Sequence, residues 1–133
     1  MINKMQTTED CPFKSPEELG LTQAECDALI KALLLMENGQ MLHVKSREQE
    51  LVEGKYPFNM CEWHSIDYDC GTVCCIGGTA ELVGNLSPLS LANTATQNQQ
   101  LHKLFYQWGG GSPSPTKAAR VLRGYLTTGI TKW

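Results

Sequence analysis

Thr22-Gln23-Ala24-Glu25-Cys26-Asp27-Ala28-Leu29-Ile30-Lys31-Ala32-Leu33-Leu34-Leu35-Met36-Glu37-Asn38-Gly39 sets the fold class of this chain. Its first four residues form a capping box. The Thr22 hydroxyl is placed to accept the amide three residues on, and Glu25 to reach back to the Thr22 amide. Cys26, Leu29, Ile30, Leu33 and Met36 then recur at helical spacing, Leu34 and Leu35 widen the apolar stripe, and Asn38-Gly39 supplies a left-handed stop. A helix with one broad apolar face has to bury it against other elements, and the rest of the chain offers them.

Downstream, Thr72 is placed to cap a helix running to about Leu86, with Ile76, Ala80 and Val83 on one face and Leu82 and Leu86 close beside it. Gly77-Gly78 interrupts this segment. Two helical glycines cost roughly 1 kcal/mol each against alanine, so they fit only where another backbone packs close or where the helix begins after them. Ser87-Pro88 resets the chain, and Pro88 suits the first turn of a short helix. Thr96-Asn98-Gln99 reads as the start of a helix carrying Leu101, Leu104, Phe105 and Trp108 on one side. Ser114-Pro115 is a cap and first-turn pair for the last helix, in which Ala118, Val121, Leu122, Tyr125 and Leu126 face inward and Gly129 ends the run.

The remaining segments read less regularly. Residues 1–15 are expected to be frayed, with Cys11 to Pro16 an extended lead-in because each proline disfavours helix before it. Met41 to Val44 suits a short extended segment, and Ser46 to Gly54 one or two helical turns. Residues 56–71 hold a proline, several aromatics and no helical period, which predicts an irregular loop packed on the core, a candidate lid or clamp. Residues 109–113 form a flexible link inside the domain. The expected architecture is mainly α: a single domain over 1–133, a small helical bundle of three main helices plus one or two short ones.

At 133 residues, with 41% apolar and 19% charged, the chain can bury one core and is neither a disordered tail nor fibrous. No apolar run approaches the roughly eighteen residues of a membrane span, and the first ten residues show no basic-then-apolar signal pattern. The expectation is a soluble cytoplasmic protein without a membrane partner. The net charge of −3 conceals a division, since residues 1–81 carry all fourteen acids whereas residues 82–133 carry none and five bases, Lys103, Lys117, Arg120, Arg123 and Lys132. A one-signed field attracts the opposite charge, which makes Lys117, Arg120 and Arg123 a candidate surface for nucleic acid or another anionic partner. The competing explanation is that the two halves face each other across the fold.

Six cysteines occur, and four of them, Cys61, Cys70, Cys74 and Cys75, fall within fifteen residues that also hold His64. In a reducing compartment such thiols stay free, bind metal or act chemically. Cys61, His64, Cys70 and Cys75 can be drawn as a structural zinc set; the first pair has the usual two-residue gap, the second does not. Zinc is therefore the cofactor to consider, behind the reading with no cofactor. Alternatively Cys70, expected just before a helix N-terminus, is a thiolate nucleophile, with His64 or His102 as base and Thr72 or helix amides as oxyanion donors. The third reading is structural: Cys74 and Cys75 open a buried helix as small apolar residues, and their roughly 100° separation around the axis keeps both from aiming at one metal. Phe58, Trp63, Tyr106, Trp108 and Trp133 are candidate aromatic contacts.

Two resemblances follow from these residues. Asp69-Cys70-Gly71-Thr72-Val73-Cys74 resembles the start of the catalytic helix in bacteriocin-processing, papain-like cysteine peptidases, over about six residues. Those enzymes add a downstream histidine on a strand; here only His102 follows, on an expected helix, and no acid follows Glu81. Over residues 58–133, Phe58-Asn59-Met60 with Trp63, Cys70-Gly71-Thr72 with Cys75-Ile76-Gly77-Gly78, Leu104-Phe105-Tyr106, Ala118-Ala119-Arg120-Val121-Leu122, and Thr128-Gly129-Ile130 with Trp133 together resemble a family of small uncharacterised bacterial and phage proteins. That resemblance implies no activity. It does imply that Cys70 and Cys75 are the pair that matters. The functional expectation is a small accessory or interaction protein with an unidentified protein partner and no catalysis, against a thiol-dependent hydrolase, a zinc module and a nucleic-acid binder.

Overall fold

A computed structural model describes residues 13–43, 55–60, 65–68, 71–73, 75–87, 89–108 and 113–133. The chain is mostly helical, as expected. In order come α1 (Pro16–Leu19), α2 (Gln23–Glu37), β1 (Met41–His43), β2 (Tyr56–Phe58), β3 (Ser65–Tyr68), β4 (Gly71–Val73), α3 (Ile76–Val83), α4 (Ser90–Ala95), α5 (Gln99–Tyr106) and α6 (Pro115–Thr128).

The capping box at α2 forms as its residues predict: Glu25 N–H donates to the Thr22 hydroxyl at 3.1 Å, and Thr22 N–H to Glu25 Oε1 at 2.9 Å. Glu25 does more than cap, because its other carboxylate oxygen accepts the Thr94 hydroxyl of α4. The stripe Cys26, Leu29, Leu33 and Met36 is buried, while Leu34 turns to solvent at 47% exposure and leaves the stripe narrower than expected. Gly39 has the left-handed φ of +71° that the stop demands. On α6 the inward residues Ala118, Val121, Leu122, Tyr125 and Leu126 are all buried, and Gly129 closes the helix at φ +79°. Burial pushes the Tyr125 phenol well above its usual pKa, a shift only partly offset by its hydrogen bond with Asn98.

Several expectations are corrected. Residues 13–15 are not frayed: Lys14 N–H donates to Leu126 O at 2.8 Å, and Ser15 forms its own capping box with Glu18. Residues 56–71 are not uniformly irregular. β1 and β2 pair in parallel, Met41 opposite Tyr56 and His43 opposite Phe58, and β3 and β4 pair antiparallel with a bulge. Strands of three or four residues are too short to show a readable alternation, and Pro57 argues against a central strand without excluding an edge one. Thr72 lies in β4, so the cap of the next helix passes to Cys75, whose sulfur accepts the Gly78 N–H at 3.5 Å. Gly77 and Gly78 stay inside α3 and are buried. Asn98 rather than Thr96 caps α5, accepting from Leu101 N–H at 3.1 Å while its amide donates to Leu19 O at 2.8 Å. The Thr96 hydroxyl instead donates to Asn93 O, ending α4. The helical turns expected over 46–54 and the link at 109–112 lie outside the described residues.

One core joins these pieces, with Leu29 and Leu33 of α2, Ile76 of α3, Leu91 of α4, Leu101, Leu104 and Phe105 of α5, Leu122 and Leu126 of α6, and Phe58 of β2 essentially inaccessible. Helices α2 and α3 approach closely, for an added side-chain carbon on Gly84 would stand 2.3 Å from Ala28 Cβ. No helix among the described residues is long and apolar enough to cross a membrane.

Candidate functional site

The candidate catalytic and metal residues divide. Cys61, His64 and Cys70 lie outside the described residues, as does Cys74. Cys75 is 1% exposed, and its sulfur serves as the N-cap of α3. Among the described residues no three His, Cys, Asp or Glu side chains stand together as a metal site. His102, the alternative base, sits on α5 with its ring 5.0 Å from that of Tyr106 and its Nδ1 3.4 Å from Gln107 Nε2. Partial burial, then the nearby Cys75 and Glu81, raise the Tyr106 phenol above its ordinary pKa.

The basic surface is rearranged. Lys117 and Arg120 are exposed about 60° apart around α6, and Arg123 lies a further 60° on, about 120° from Lys117, since each helical residue turns about 100°. There Arg123 makes a two-pronged ion pair with Glu37 of α2, Nε to Oε2 at 2.6 Å and an Nη to Oε1 at 2.7 Å, with its guanidinium 5.4 Å from the centre of the Phe13 ring. Arg123 is thus neutralised within the fold. Of the three residues of the expected surface, Lys117 and Arg120 are exposed and Arg123 is engaged with Glu37.

The pair with Arg123 holds the Glu37 carboxyl below its usual pKa. A depressed carboxylate pKa contributes stability that is complete above the ordinary value near 4.5 and is lost as pH falls through the lower folded value. Both partners remain partly exposed, so the effect is small: Glu37→Gln should cost about 0.5–1 kcal/mol at neutral pH. Comparing melting temperatures of parent and variant from pH 7 down to about 3 checks this. The gap should close at the acid end, and a constant gap would refute the ion pair as its source.

Lys132 takes the place that Arg123 vacates. After α6 the left-handed Gly129 turns the chain back, helped by the Thr128 hydroxyl, which donates to Gly124 O at 2.7 Å and accepts the Ile130 N–H at 3.1 Å. The tail is then fastened to α5. Thr131 N–H donates to Gln100 Oε1 at 2.8 Å, the Thr131 hydroxyl to Gln100 O at 2.7 Å, and the Trp133 indole N–H to Lys103 O at 2.9 Å. Between α6 and this tail lies an open groove of about 450 Å³, bordered by Lys117, Arg120 and Lys132 and lined by Val121, Gly124, Thr128, Ile130 and Trp133. No Asp or Glu lines it, and among the described residues none forms an ion pair with Lys117, Arg120 or Lys132. Three unpaired cations around an apolar floor can hold an anion that also carries an apolar face.

Sequence reasoning found Lys117 and Arg120 and missed Lys132 and Gly124. A helical count from Lys117 would have aligned Val121, Gly124 and Thr128 with it. Nothing local announces that Lys132 returns to the same groove, because its position depends on Gln100 and Lys103 in another helix. Searches of protein-family models, curated proteins and solved structures find no match to this chain.

Proposed function

We propose that this chain is a non-catalytic interaction module that binds an anionic partner through the groove between α6 and the C-terminal tail. One observation carries the reading: Lys117, Arg120 and Lys132 converge on one groove that no described Asp or Glu lines, while Arg123 of the same helix is paired. Packing does not call for such a cluster, because like charges brought together repel and each of these side chains is exposed. The thiol-hydrolase and zinc readings turn on Cys61, His64 and Cys70, which lie outside the described residues; of the zinc set only Cys75 is described, as a buried helix cap.

The test is retention on immobilised heparin and the salt needed for elution, for parent and Lys117→Glu/Arg120→Glu. The parent should be retained despite its net acidity, and the double reversal should elute near the void at low salt with an unchanged melting temperature. Equal elution of the two proteins would overturn the proposal. Arg123→Ala serves as the control: it should lower stability slightly and leave retention unaffected, because its charge is spent on Glu37.

A further inference from the structure

We infer that the α6 groove holds single-stranded nucleic acid, with an unpaired base against the Trp133 ring and adjoining phosphates against Lys117, Arg120 and Lys132. The inference rests on the anionic-partner reading above and names the partner. A partner recognised by charge alone would need only the cationic border. This groove has in addition an apolar lining of Val121, Ile130 and Trp133, and Ile130 stands 46% exposed within it. Aromatic rings beside a cationic track suit single strands, whose bases present free faces, whereas a duplex keeps those faces inside its stack. The indole N–H bond to Lys103 O holds the ring in place before any ligand arrives, so little side-chain freedom remains to be lost on binding.

Gly124 points the same way independently. It lies inside α6, where glycine is unfavourable relative to alanine, and a side-chain carbon added there would meet nothing within 4 Å. No close approach or left-handed backbone requires it. Its missing side chain does one visible thing, which is to leave the groove floor open between Val121 and Thr128. The groove also exceeds a single nucleotide. From Lys117 to Thr128 the helix rises about 16 Å at 1.5 Å per residue, several times the roughly 3.4 Å axial rise of one nucleotide in a stacked strand.

The experiment is fluorescence anisotropy of a short fluorescein-labelled oligothymidylate with the full chain, between about 50 and 200 mM salt. Thymidine monophosphate, a duplex of equal length, heparin and polyglutamate are the competitors. With three cations engaged, log affinity should fall with log salt at a slope of about −2. Trp133→Leu should lose about tenfold in affinity with the slope kept near −2, because stacking carries no counterion release and the two Thr131 bonds to Gln100 still fasten the tail beside Lys132. Gly124→Leu should also lose about tenfold while melting at or above the parent temperature, which separates a blocked groove from a damaged fold.

Equal competition by duplex, heparin or polyglutamate, together with full affinity in Trp133→Leu, would overturn the stacked base and leave the anionic-partner reading intact. Competition by the monophosphate as strong as by the strand would reassign the groove to a free nucleotide and overturn the strand. Failure of every polyanion to bind at the lowest salt would overturn both readings.

Discussion

Gly84→Ala is expected to lower the melting temperature by roughly 10 °C or more, corresponding to a loss of about 3 kcal/mol. Gly84 ends α3 with an ordinary φ of −89°, so the cost does not come from backbone strain. It comes from α2. The new carbon would stand 2.3 Å from Ala28 Cβ, 3.0 Å from Ala28 Cα and 2.8 Å from Ala80 O, and two of these three atoms are backbone that cannot rotate away. The two helices would have to separate, loosening the core in which Leu29 of α2 and Ile76 of α3 are buried. Thermal melts followed by circular dichroism check this. Adding Ala28→Gly should recover only part of the loss, because the Cα and carbonyl contacts remain and glycine is itself unfavourable inside α2. A Gly84→Ala protein melting within about 1 °C of the parent would sink the close-packing argument. Gly124→Ala gives the contrast. The same chemical change in open space should raise the melting temperature by a few degrees.

The second large effect is expected at Glu81. Its side chain is 1% exposed, yet both carboxylate oxygens are used: Oε1 accepts the Leu89 N–H at 2.8 Å and Oε2 the Leu91 N–H at 2.9 Å. These amides open α4, whose own N-cap residue, Leu89, has no side chain able to cap and sits in the left-handed region at φ +67°. Glu81 therefore caps a helix it does not belong to and holds a leucine in a conformation costing about 1–2 kcal/mol. Glu81→Ala should cost about 2–3 kcal/mol, through one stranded buried amide, one part-buried amide and the space left behind. Glu81→Gln, which turns one acceptor into a donor facing a donor, should cost about 2–3 kcal/mol. Denaturant unfolding measures both. Leu89→Gly, which removes the strain while keeping the amide, should melt at or above the parent. A fully stable Glu81→Gln protein would show that the carboxylate is dispensable for α4.

These two sites also mark how far the sequence could be read. The helices at α2 and α6 were legible because their signals are local: a capping hydroxyl, an apolar stripe and a closing glycine act through hydrogen bonds and contacts spanning only a few residues. The α1 cap was equally local, and Ser15-Pro16-Glu17-Glu18 contained it, but the prolines drew the reading toward an extended lead-in. The short strands left no such trace, because three or four residues are too few to show an alternation and Pro57 marks only what β2 cannot donate.

The groove was half legible. Charge composition exposed the acid-free second half of the chain, and Lys117 and Arg120 followed from it. By itself the sequence determined a mainly helical chain with a basic last helix, since helix spacing and charge are properties of neighbouring residues. Only the tertiary structure decided which basic residues remain available. Arg123 is neutralised by Glu37, 86 positions away, and Lys132 is brought beside Lys117 and Arg120 by a tail fastened to Gln100 and Lys103. In the same way Glu81 became a cap and Ala28 a wall against Gly84. Each of these roles depends on which helix faces which, and that is set when the buried faces of all the helices are satisfied together rather than by any one segment.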